Sequence, residues 1–363
     1  MLKNVKWGTF KVGELFDVNT SKKRFDANKV TVLKSGRWPY VVRTAANNGH
    51  KGYINEDESY LNEGNTISFG QDTATMFYQE KPYFTGDKIK VLKPKRKEFN
   101  KSNAQFFIST MMKAFSSFSW GASSFSVDII KNQNLTLPIS DKGEIDFNFM
   151  ERFLNELESE RMILIEKFLT NAKLNDYHLT PEEKKALNDY ENVEFFAFDL
   201  IKIFTVKNSG NILSRDIIEN SGNVPYLCAS RENNSVSSYI SYDEKYLDKG
   251  NCVFIGGKTF VVSYQENDFY SNDSHNLILH LKDKEKRTRL NQLYLATCVE
   301  KSLSHKYSWG NSISNRKIQH DKIYLPVKDN QPDLSSMGTF MSAIQKLVIK
   351  DLVQYVDAKR TIQ

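Results

Sequence analysis

The motif Tyr60-Leu61-x-x-Gly64-Asn65 returns 186 residues later in this 363-residue chain as Tyr246-Leu247-x-x-Gly250-Asn251. The same register holds without a gap from Pro39 to Asp87. Further matches outside this stretch pair Phe10-x5-Phe16 with Phe198-x5-Phe204, Ser119-Trp120-Gly121 with Ser308-Trp309-Gly310, and Leu137-Pro138 with Leu325-Pro326. Chance does not produce so long an ordered series, and we therefore interpret the chain as a tandem duplication.

Each copy contains the same order of elements. Short runs rich in β-branched and aromatic residues come first, separated by turn signals. A strand ending in Leu-Pro, a polar turn and one long helix follow, and we predict the helices at residues 147–172 and 334–357. Apolar residues spaced three and four apart predict a buried stripe along each helix. The residues expected to pack within the chain or against a partner are Met150, Phe153, Leu157, Leu164 and Phe168 in the first helix, and Met337, Phe340, Ile344, Leu347 and Leu352 in the second.

A charged linker separates the two copies. Its segment Thr180-Pro181-Glu182-Glu183 has the residues of a helix start, with threonine as N-cap and Glu183 at the capping-box position. We therefore predict a short helix at residues 181–190. The predicted fold class is α+β, with two tandem α/β domains related by a pseudo-two-fold axis and separated by two long antiparallel helices. The predicted boundaries are 1–140 for the first domain, 141–190 for the first spacer helix and linker, 191–330 for the second domain and 331–363 for the second spacer helix.

The predicted helices are long enough to separate two sites on DNA. At about 1.5 Å per residue, helices of about 22–26 residues span roughly 33–39 Å. Half-sites one turn of DNA apart are separated by about 34–36 Å. The helix pair is therefore predicted to fix the distance between two DNA-binding domains. The alternative is that the helices only connect the two domains.

The charge of the chain is unevenly distributed. The whole chain has a formal net charge of +6, from 50 Lys and Arg against 44 Asp and Glu. Residues 1–140 carry 21 Lys and Arg against 12 Asp and Glu, whereas residues 141–190 carry 7 against 12. The first domain is thus predicted to suit a polyanion, and the segment that follows it is not.

The cysteines and the hydropathy of the chain indicate where in the cell it is expected. The three cysteines form neither an even disulfide framework nor a C-x-x-C metal-binding pair. The first residues lack the apolar segment of a signal peptide, and no apolar run approaches the roughly 20 residues that cross a bilayer. We expect a cytoplasmic chain without membrane contact.

Basic clusters and residues that differ between the copies are the candidates for DNA contact. Lysine and arginine clusters near residues 22–24 and 95–97 can neutralise phosphates, although each is equally explained as a solvated loop. Positions that differ between the copies are better candidates for base recognition, because two different half-sites need different readers. These positions pair Arg43 with Ala229, Lys51 with Ser237, and Asp72 with Lys258.

Two features that both copies share can be explained by a role in the fold as well as by DNA contact. Asn47-Asn48 and Asn233-Asn234 occupy equivalent places and are predicted to form turns. Trp120 and Trp309 lie in serine-rich loops and can stack on bases, with packing as the alternative role. The complete set of candidate DNA-binding residues is Lys22, Lys23, Arg24, Arg43, Lys51, Gln71, Asp72, Lys95, Arg96, Lys97, Trp120, Arg231, Lys258, Trp309 and Arg316.

Catalytic and cofactor motifs are missing from the sequence. It has no Pro-Pro pair of the kind found in the base-holding loop of amino-group DNA methyltransferases, no Gly-rich dinucleotide loop and no phosphate-binding loop. Its six histidines have no metal-ligand spacing. The repeated acids Asp87 and Asp273 lack a nearby base and are predicted to form turns. We therefore predict no catalytic residue, no metal and no cofactor.

Taken in order, the motifs resemble a target-recognition unit of DNA specificity subunits. These are the S subunits of Type I restriction–modification systems and the similar separate recognition subunits of Type II systems that cut on both sides of their site. The motifs in the first copy are Phe10-x5-Phe16, Asn48-Gly49-x-x-Gly52-Tyr53-Ile54, Phe77-Tyr78-Gln79, Pro82-Tyr83-Phe84-x-x-Asp87, Leu137-Pro138 and Phe149-Met150-x-x-Phe153. Those in the second copy are Leu325-Pro326-Val327, Gln331-Pro332-Asp333 and Met337-x-x-Phe340, and Ser235-Val236-Ser237-Ser238 departs from the Gly-x-x-Gly pattern.

The resemblance implies a function for each part of the chain. Each domain would recognise one half of a bipartite double-stranded DNA target, and the helices would set the length of the spacer. The helices and linker would dock DNA methyltransferase subunits, two in number, and in some systems restriction or translocase subunits. The chain itself would be non-catalytic. Two alternatives stay open: a free-standing nuclease with an atypical site, and a duplicated protein-interaction or anti-restriction module.

Overall fold

A computed structural model of the chain describes residues 2–116 and 125–362. The chain divides into two compact units, Met1–Ile165 and Glu166–Gln363. The first unit contains β1 (Lys6–Lys11), α1 (Val12–Leu15), β2 (Phe16–Thr20), β3 (Pro39–Val41), β4 (His50–Tyr53), β5 (Thr66–Gly70), β6 (Met76–Gln79), β7 (Phe84–Thr85), β8 (Ile89–Pro94), α2 (Lys101–Phe115), α3 (Val127–Asn132), β9 (Asn134–Ile139) and most of α4 (Phe147–Asn171).

The second unit begins within the last turns of α4 and continues with the linker. It contains α5 (Pro181–Asn188), β10 (Phe195–Asp199), α6 (Leu200–Ile203), β11 (Phe204–Asn208), β12 (Val224–Leu227), β13 (Val236–Ile240), β14 (Cys252–Gly256), β15 (Val261–Gln265), β16 (Tyr270–Ser271), β17 (Leu277–Leu281), α7 (Arg289–Leu303), α8 (Asn315–Ile318), β18 (Lys322–Lys328), β19 (Gln331–Pro332) and α9 (Leu334–Ile362).

The sheets of the two units have the same strand order. In the first unit a four-stranded sheet has the order β2-β8-β5-β6, and a three-stranded sheet has the order β4-β3-β7. The second unit repeats both sheets as β11-β17-β14-β15 and β13-β12-β16. In each three-stranded sheet the central strand pairs in parallel with the short one, β3 with β7 and β12 with β16. The predicted α+β fold class with a tandem duplication is confirmed.

Aromatic side chains fill the core of the first unit, and each long helix begins inside such a core. The ring of Phe16 meets Phe99 and Phe107 edge-on at centroid distances of 5.3 and 5.7 Å. Met150, in the first turn of α4, is fully buried in this core, and Met337 occupies the same place at the start of α9 in the second. Burying each methionine contributes about 1.5–3 kcal/mol. The helix starts are thereby fixed to their own domains.

The helix ends differ from the predicted ones by a few residues. Helix α4 ends one residue before the predicted position, whereas α9 continues five residues past 357. No glycine or proline interrupts residues 358–362, and the basic Lys359 and Arg360 favour a helix C-terminus. The capping box of the linker helix is confirmed, with the Thr180 hydroxyl accepting from the Glu183 amide at 3.2 Å.

The predicted apolar stripes require a correction. Met150 and Met337 are buried at the helix starts, but the other predicted stripe residues are only half-buried or exposed. The residues buried near the helix ends are different ones, Leu169 on α4 and Val353 and Val356 on α9. The half-buried members are Phe153, Phe340, Ile344 and Leu352, and the exposed ones are Leu157, Leu164, Phe168 and Leu347. Within residues 2–116 and 125–362, no helix combines the length and the apolar character needed to cross a bilayer.

Candidate nucleic-acid interface

An open cleft of about 1030 Å³ lies at one edge of the three-stranded sheet in the first unit. Strands β3 and β7 are parallel, so the segments that leave their C-terminal ends emerge at the same edge. The loop Val42–Thr44 follows β3, and Gly86-Asp87 follows β7. The rest of the wall is formed by residues between β2 and β3, by Lys51 on β4 and Glu56 after it, and by Thr73 from the turn between β5 and β6.

The cleft brings together four of the predicted DNA-binding residues from separate parts of the sequence. They are Lys23, Arg24, Arg43 and Lys51. Lys29 also lines the cleft and was not predicted, because it stands alone between Asn28 and Val30 without a basic neighbour. No signal in the sequence distinguishes it from any other surface lysine.

Acidic side chains pair with some of these cations and leave others free. Asp87 accepts from Arg24 Nη1 at 3.2 Å. Asp72 Oδ2 accepts from both Arg43 Nη1 at 2.5 Å and Lys88 Nζ at 2.8 Å.

Three cations of the cleft form no ion pair with any residue that the structure describes. Lys23 Nζ lies over the ring of Tyr60, 4.3 Å from its centroid, and so keeps its charge available for a further partner. Lys29 and Lys51 are exposed, and no side-chain bond engages either of them within the described parts of the chain. The cleft therefore presents these three positive charges to solvent.

The hydroxyl of Tyr40 at the base of the cleft is not suited to act as a nucleophile. It donates a hydrogen bond of 2.6 Å to the carbonyl of Phe25. Burial, together with the negative charges of Asp26 and Asp87, raises the pKa of Tyr40 to about 12. The group stays protonated and fixes the cleft wall to β3. Tyr226 makes the equivalent 2.6 Å bond to Ile212 in the second unit.

The second unit carries exchanged charges at the equivalent edge. Ala229 stands at the place of Arg43, and Lys258 stands at the place of Asp72. Lys258 Nζ pairs with Asp273 at 2.7 Å, and His275 Nδ1 lies 2.7 Å from the other oxygen of the same carboxylate. Although burial alone would raise it, these hydrogen bonds lower the pKa of Asp273 to about 2.

Among the described side chains of the second unit, Trp309 is the most exposed large apolar one, with 81% of its surface open. Its loop has an ordered base, because Tyr307 Oη donates to the buried carboxylate of Asp321 at 2.6 Å. The Ile313 amide donates to the Gly257 carbonyl at 3.3 Å and attaches the loop to the turn that carries Lys258. An aromatic ring held out in this way is available for stacking.

The remaining predicted DNA-binding residues of the first and second units lie outside the cleft lining. Lys95 Nζ donates to the Gly13 carbonyl at 2.6 Å, and Arg231 pairs with Glu300 of α7 at 3.3 Å. Gln71 is half-buried, and its carbonyl accepts from the Phe125 amide at 3.3 Å. Lys22, Arg96, Lys97 and Arg316 are exposed outside the cleft lining, and Trp120 lies outside the described residues.

The shared asparagine pairs form turns, as predicted. Asn47, Asn48, Asn233 and Asn234 have φ between 46° and 54°, the left-handed region that asparagine adopts more readily than most residues. Asn48 Nδ2 donates to the Tyr78 carbonyl at 3.1 Å, and Asn234 makes the equivalent bond to Tyr264 at 2.9 Å. The prediction of turn formers at these positions is confirmed.

The long helices present a second kind of surface, which is apolar. Leu164 and Phe168 on α4 are each 56% exposed. In the first unit a groove of about 790 Å³ is lined by Trp7, Phe106 and Leu157 among others. Large exposed apolar side chains one turn apart on a helix, such as Leu164 and Phe168, are typical of a protein-binding surface.

In the second unit the linker covers part of α9. Glu183 of α5 is buried and accepts from Lys346 Nζ at 3.0 Å and from Ser342 at 2.6 Å. The Tyr190 ring stacks on Phe340 with centroids 4.2 Å apart.

Comparisons with known proteins agree with these features. The chain is 24% identical over 352 residues to a specificity subunit, S.BcgI, of a Type II restriction enzyme from Heyndrickxia coagulans, which covers 95% of this chain and 96% of that protein. The crystal structure of a Type I restriction-modification S subunit from M. genitalium superposes with a TM-score of 0.64 at 13% identity, over 99% of this chain and 93% of that one. The family model described as the Type I restriction modification DNA specificity domain matches twice, at residues 4–167 and 191–353. The chain therefore belongs to the family of Type I restriction modification DNA specificity domains, which it contains as a tandem pair.

Proposed function

We propose that the chain recognises a bipartite double-stranded DNA sequence, with one half-site contacted by each unit. The observation that supports this most directly is the charge exchange at one edge of two folds with the same topology. Arg43 and Asp72 occupy that edge in the first unit, and Ala229 and Lys258 occupy it in the second. Equivalent surfaces with different hydrogen-bonding groups are what two unlike half-sites require.

The exposed cations of the first cleft are proposed to contact the DNA backbone. Lys23 and Lys29 on the connection between β2 and β3, and Lys51 on β4, lie around one opening. Their charges are not neutralised by an acid, so they can displace counterions from phosphates. Such contacts fix the register of the domain on the duplex without selecting a base. In the second unit we assign stacking to Trp309 and a phosphate contact to Arg316.

We propose that the helices have a separate role. The recognition domains comprise residues 1–140 and 191–330, and the helices of 141–190 and 331–363 form an antiparallel spacer that sets the distance between half-sites. The exposed apolar residues Leu157, Leu164, Phe168 and Leu347 support docking of protein partners. We propose two DNA methyltransferase subunits as these partners, together with restriction subunits in a complete complex. Methylation and cleavage would then belong to the partners, and this chain would be non-catalytic.

Selection from random DNA tests the bipartite proposal. The full chain, produced together with a methyltransferase partner, is incubated with random duplexes, and the bound DNA is sequenced. Two short specified blocks separated by an unspecified spacer of constant length are expected. Binding is expected to weaken steeply between 50 and 200 mM salt, since several phosphates are neutralised.

Two results would contradict the proposal. One contiguous block would mean that the two units do not recognise separate half-sites. Metal-dependent cleavage by the purified chain alone would favour a free-standing nuclease instead.

A further inference from the structure

The side chain of Arg43 is held in place by a carboxylate. Arg43 follows β3 at the edge of the cleft, and its Nη1 donates to Asp72 Oδ2 at 2.5 Å. Lys88 Nζ donates to the same oxygen at 2.8 Å. Arg43 nevertheless keeps 32% of its side-chain surface exposed, whereas Asp72 keeps 21%. The guanidinium is thus bonded to the acid and remains partly accessible to solvent.

One edge of this guanidinium is free. In residues 2–116 and 125–362 the side chain of Arg43 makes a single hydrogen bond, through Nη1. Its Nε and Nη2 groups, which carry two parallel N–H donors, therefore have no partner among the described residues, and the side chain lines the cleft. This is the arrangement that pairs with the O6 and N7 acceptors of guanine in the major groove. An arginine already fixed by a carboxylate loses less side-chain freedom on binding than an unrestrained one.

The acid also argues against a phosphate as the partner of Arg43. The carboxylate offsets part of the charge of Arg43 and Lys88, so Arg43 attracts a phosphate less strongly than an unpaired lysine does. A guanine edge carries no net charge, so its hydrogen bonds to Arg43 do not depend on this attraction. Phosphates are better served by Lys29 and Lys51, which line the same cleft without an acidic partner.

The second unit lacks this arrangement. Ala229 replaces the arginine, and the equivalent turn carries Lys258 in place of the acid. The inference consequently applies to one half-site only, and the other half-site serves as a control within the same molecule.

We propose that Arg43, positioned by Asp72, recognises a guanine in the half-site bound by the first unit. This inference rests on the proposed bipartite recognition and adds a base and a residue to it. Arg43 is the residue that contacts the base. Asp72 is a positioning residue, because it acts on DNA only through the orientation of Arg43.

The test repeats the random-DNA selection with variants of the full chain bound to its methyltransferase partner. Wild type is expected to select guanine at one position of one half-site. R43A is expected to lose that preference by roughly 5- to 150-fold, the range for one bidentate contact, and to leave the other half-site unchanged. R43K is expected to reduce the preference for guanine less than R43A does. K51A, the matched control from the same cleft, is expected to lower binding to every sequence equally.

Substitution of Asp72 is expected to change DNA binding in a way that the loss of a purely structural residue would not. D72N releases two cations, so binding to non-specific DNA is expected to tighten and its salt dependence to steepen by about one charge. At the same time the preference for guanine is expected to fall. Loss of a structural support would instead weaken binding to all DNA.

Each contrary outcome identifies what has failed. If R43A weakens binding uniformly while both half-sites keep their sequences, Arg43 contacts the backbone and the inference is overturned, with bipartite recognition intact. A D72N protein that keeps its guanine preference overturns the positioning role. If wild type selects no split sequence, the proposed function fails together with the inference. Selection of the second half-site by every variant shows that the variant has folded.

Discussion

The ammonium of Lys258 lies 2.7 Å from the carboxylate of Asp273, at the place where the first unit carries the acid Asp72. In the first unit the counterpart of Asp273, Asp87, pairs with Arg24 at 3.2 Å instead. A cation and an acid have thus been exchanged at one turn of two folds with the same strand order. The shared strands keep the backbone in place, so the exchange changes the chemistry of the surface and leaves the fold unaltered.

The Lys258–Asp273 pair is expected to make stability depend on pH. The pKa of Asp273 in the folded chain, about 2, lies below its ordinary value of 3.8, so the stabilisation is present above about pH 4 and is lost as the pH falls towards 2. Because Lys258 is largely exposed, we expect K258A to lower the free energy of unfolding by only about 1 kcal/mol at pH 7. Urea unfolding of both proteins at pH 7 and pH 3 measures the difference.

The control for this prediction is K97A, which removes an exposed lysine outside the cleft lining. Its effect on stability should be small and the same at both pH values. A difference between wild type and K258A that stays constant from pH 7 to pH 3 would show that the contribution of Lys258 does not depend on the ionised carboxylate of Asp273.

Trp309 is expected to matter for DNA and not for folding. Because its side chain is 81% exposed, W309A should change the free energy of unfolding by less than about 0.5 kcal/mol. Loss of one stacked base should weaken DNA binding by about 1–3 kcal/mol. Fluorescence anisotropy with a labelled duplex measures the affinity, and W309F should keep part of it. Unchanged affinity of W309A would remove this residue from the interface.

The exposed face of α4 is expected to bind a protein partner. Replacing Leu164 and Phe168 by serine should leave the stability of the isolated chain within about 0.5 kcal/mol of wild type, because both side chains already face solvent. Binding of the methyltransferase should fall by about 2 kcal/mol or more if these residues anchor the contact. Co-purification from cells that express both chains gives the result.

The matched comparison for the α4 variants is M150A. Met150 is fully buried at the start of the same helix, so truncation should cost about 2–5 kcal/mol of stability. If L164S/F168S binds the methyltransferase as tightly as wild type, the partner docks on another surface.

Much of the fold could be predicted, because the relevant signals are local or repeated. The duplicated motifs predicted two copies of one topology, and the residues around Thr180 predicted a helix start that the structure confirms. The shared asparagines predicted turns for the same reason, since the backbone conformation of a turn depends on the residue that adopts it.

The details of the candidate interface could not be predicted in the same way. The contact between Arg43 and Asp72 joins residues 29 positions apart, which follow β3 and β5 in two different sheets. Lys29 enters the cleft through tertiary structure alone. The exposed stripe on α4 was misjudged because periodicity shows that a face is apolar and does not show whether this chain covers it.

Whether each unit recognises its own half of a split DNA sequence can be measured by exchanging one domain. Residues 1–140 are replaced by the corresponding domain of a relative with a different target, and the hybrid is expressed with the methyltransferase. The methylated sites in the host genome are then mapped. We expect one half of the methylated sequence to change while the other half and the spacer length stay the same. Methylation at an unchanged site, or a change in both halves at once, would contradict this expectation.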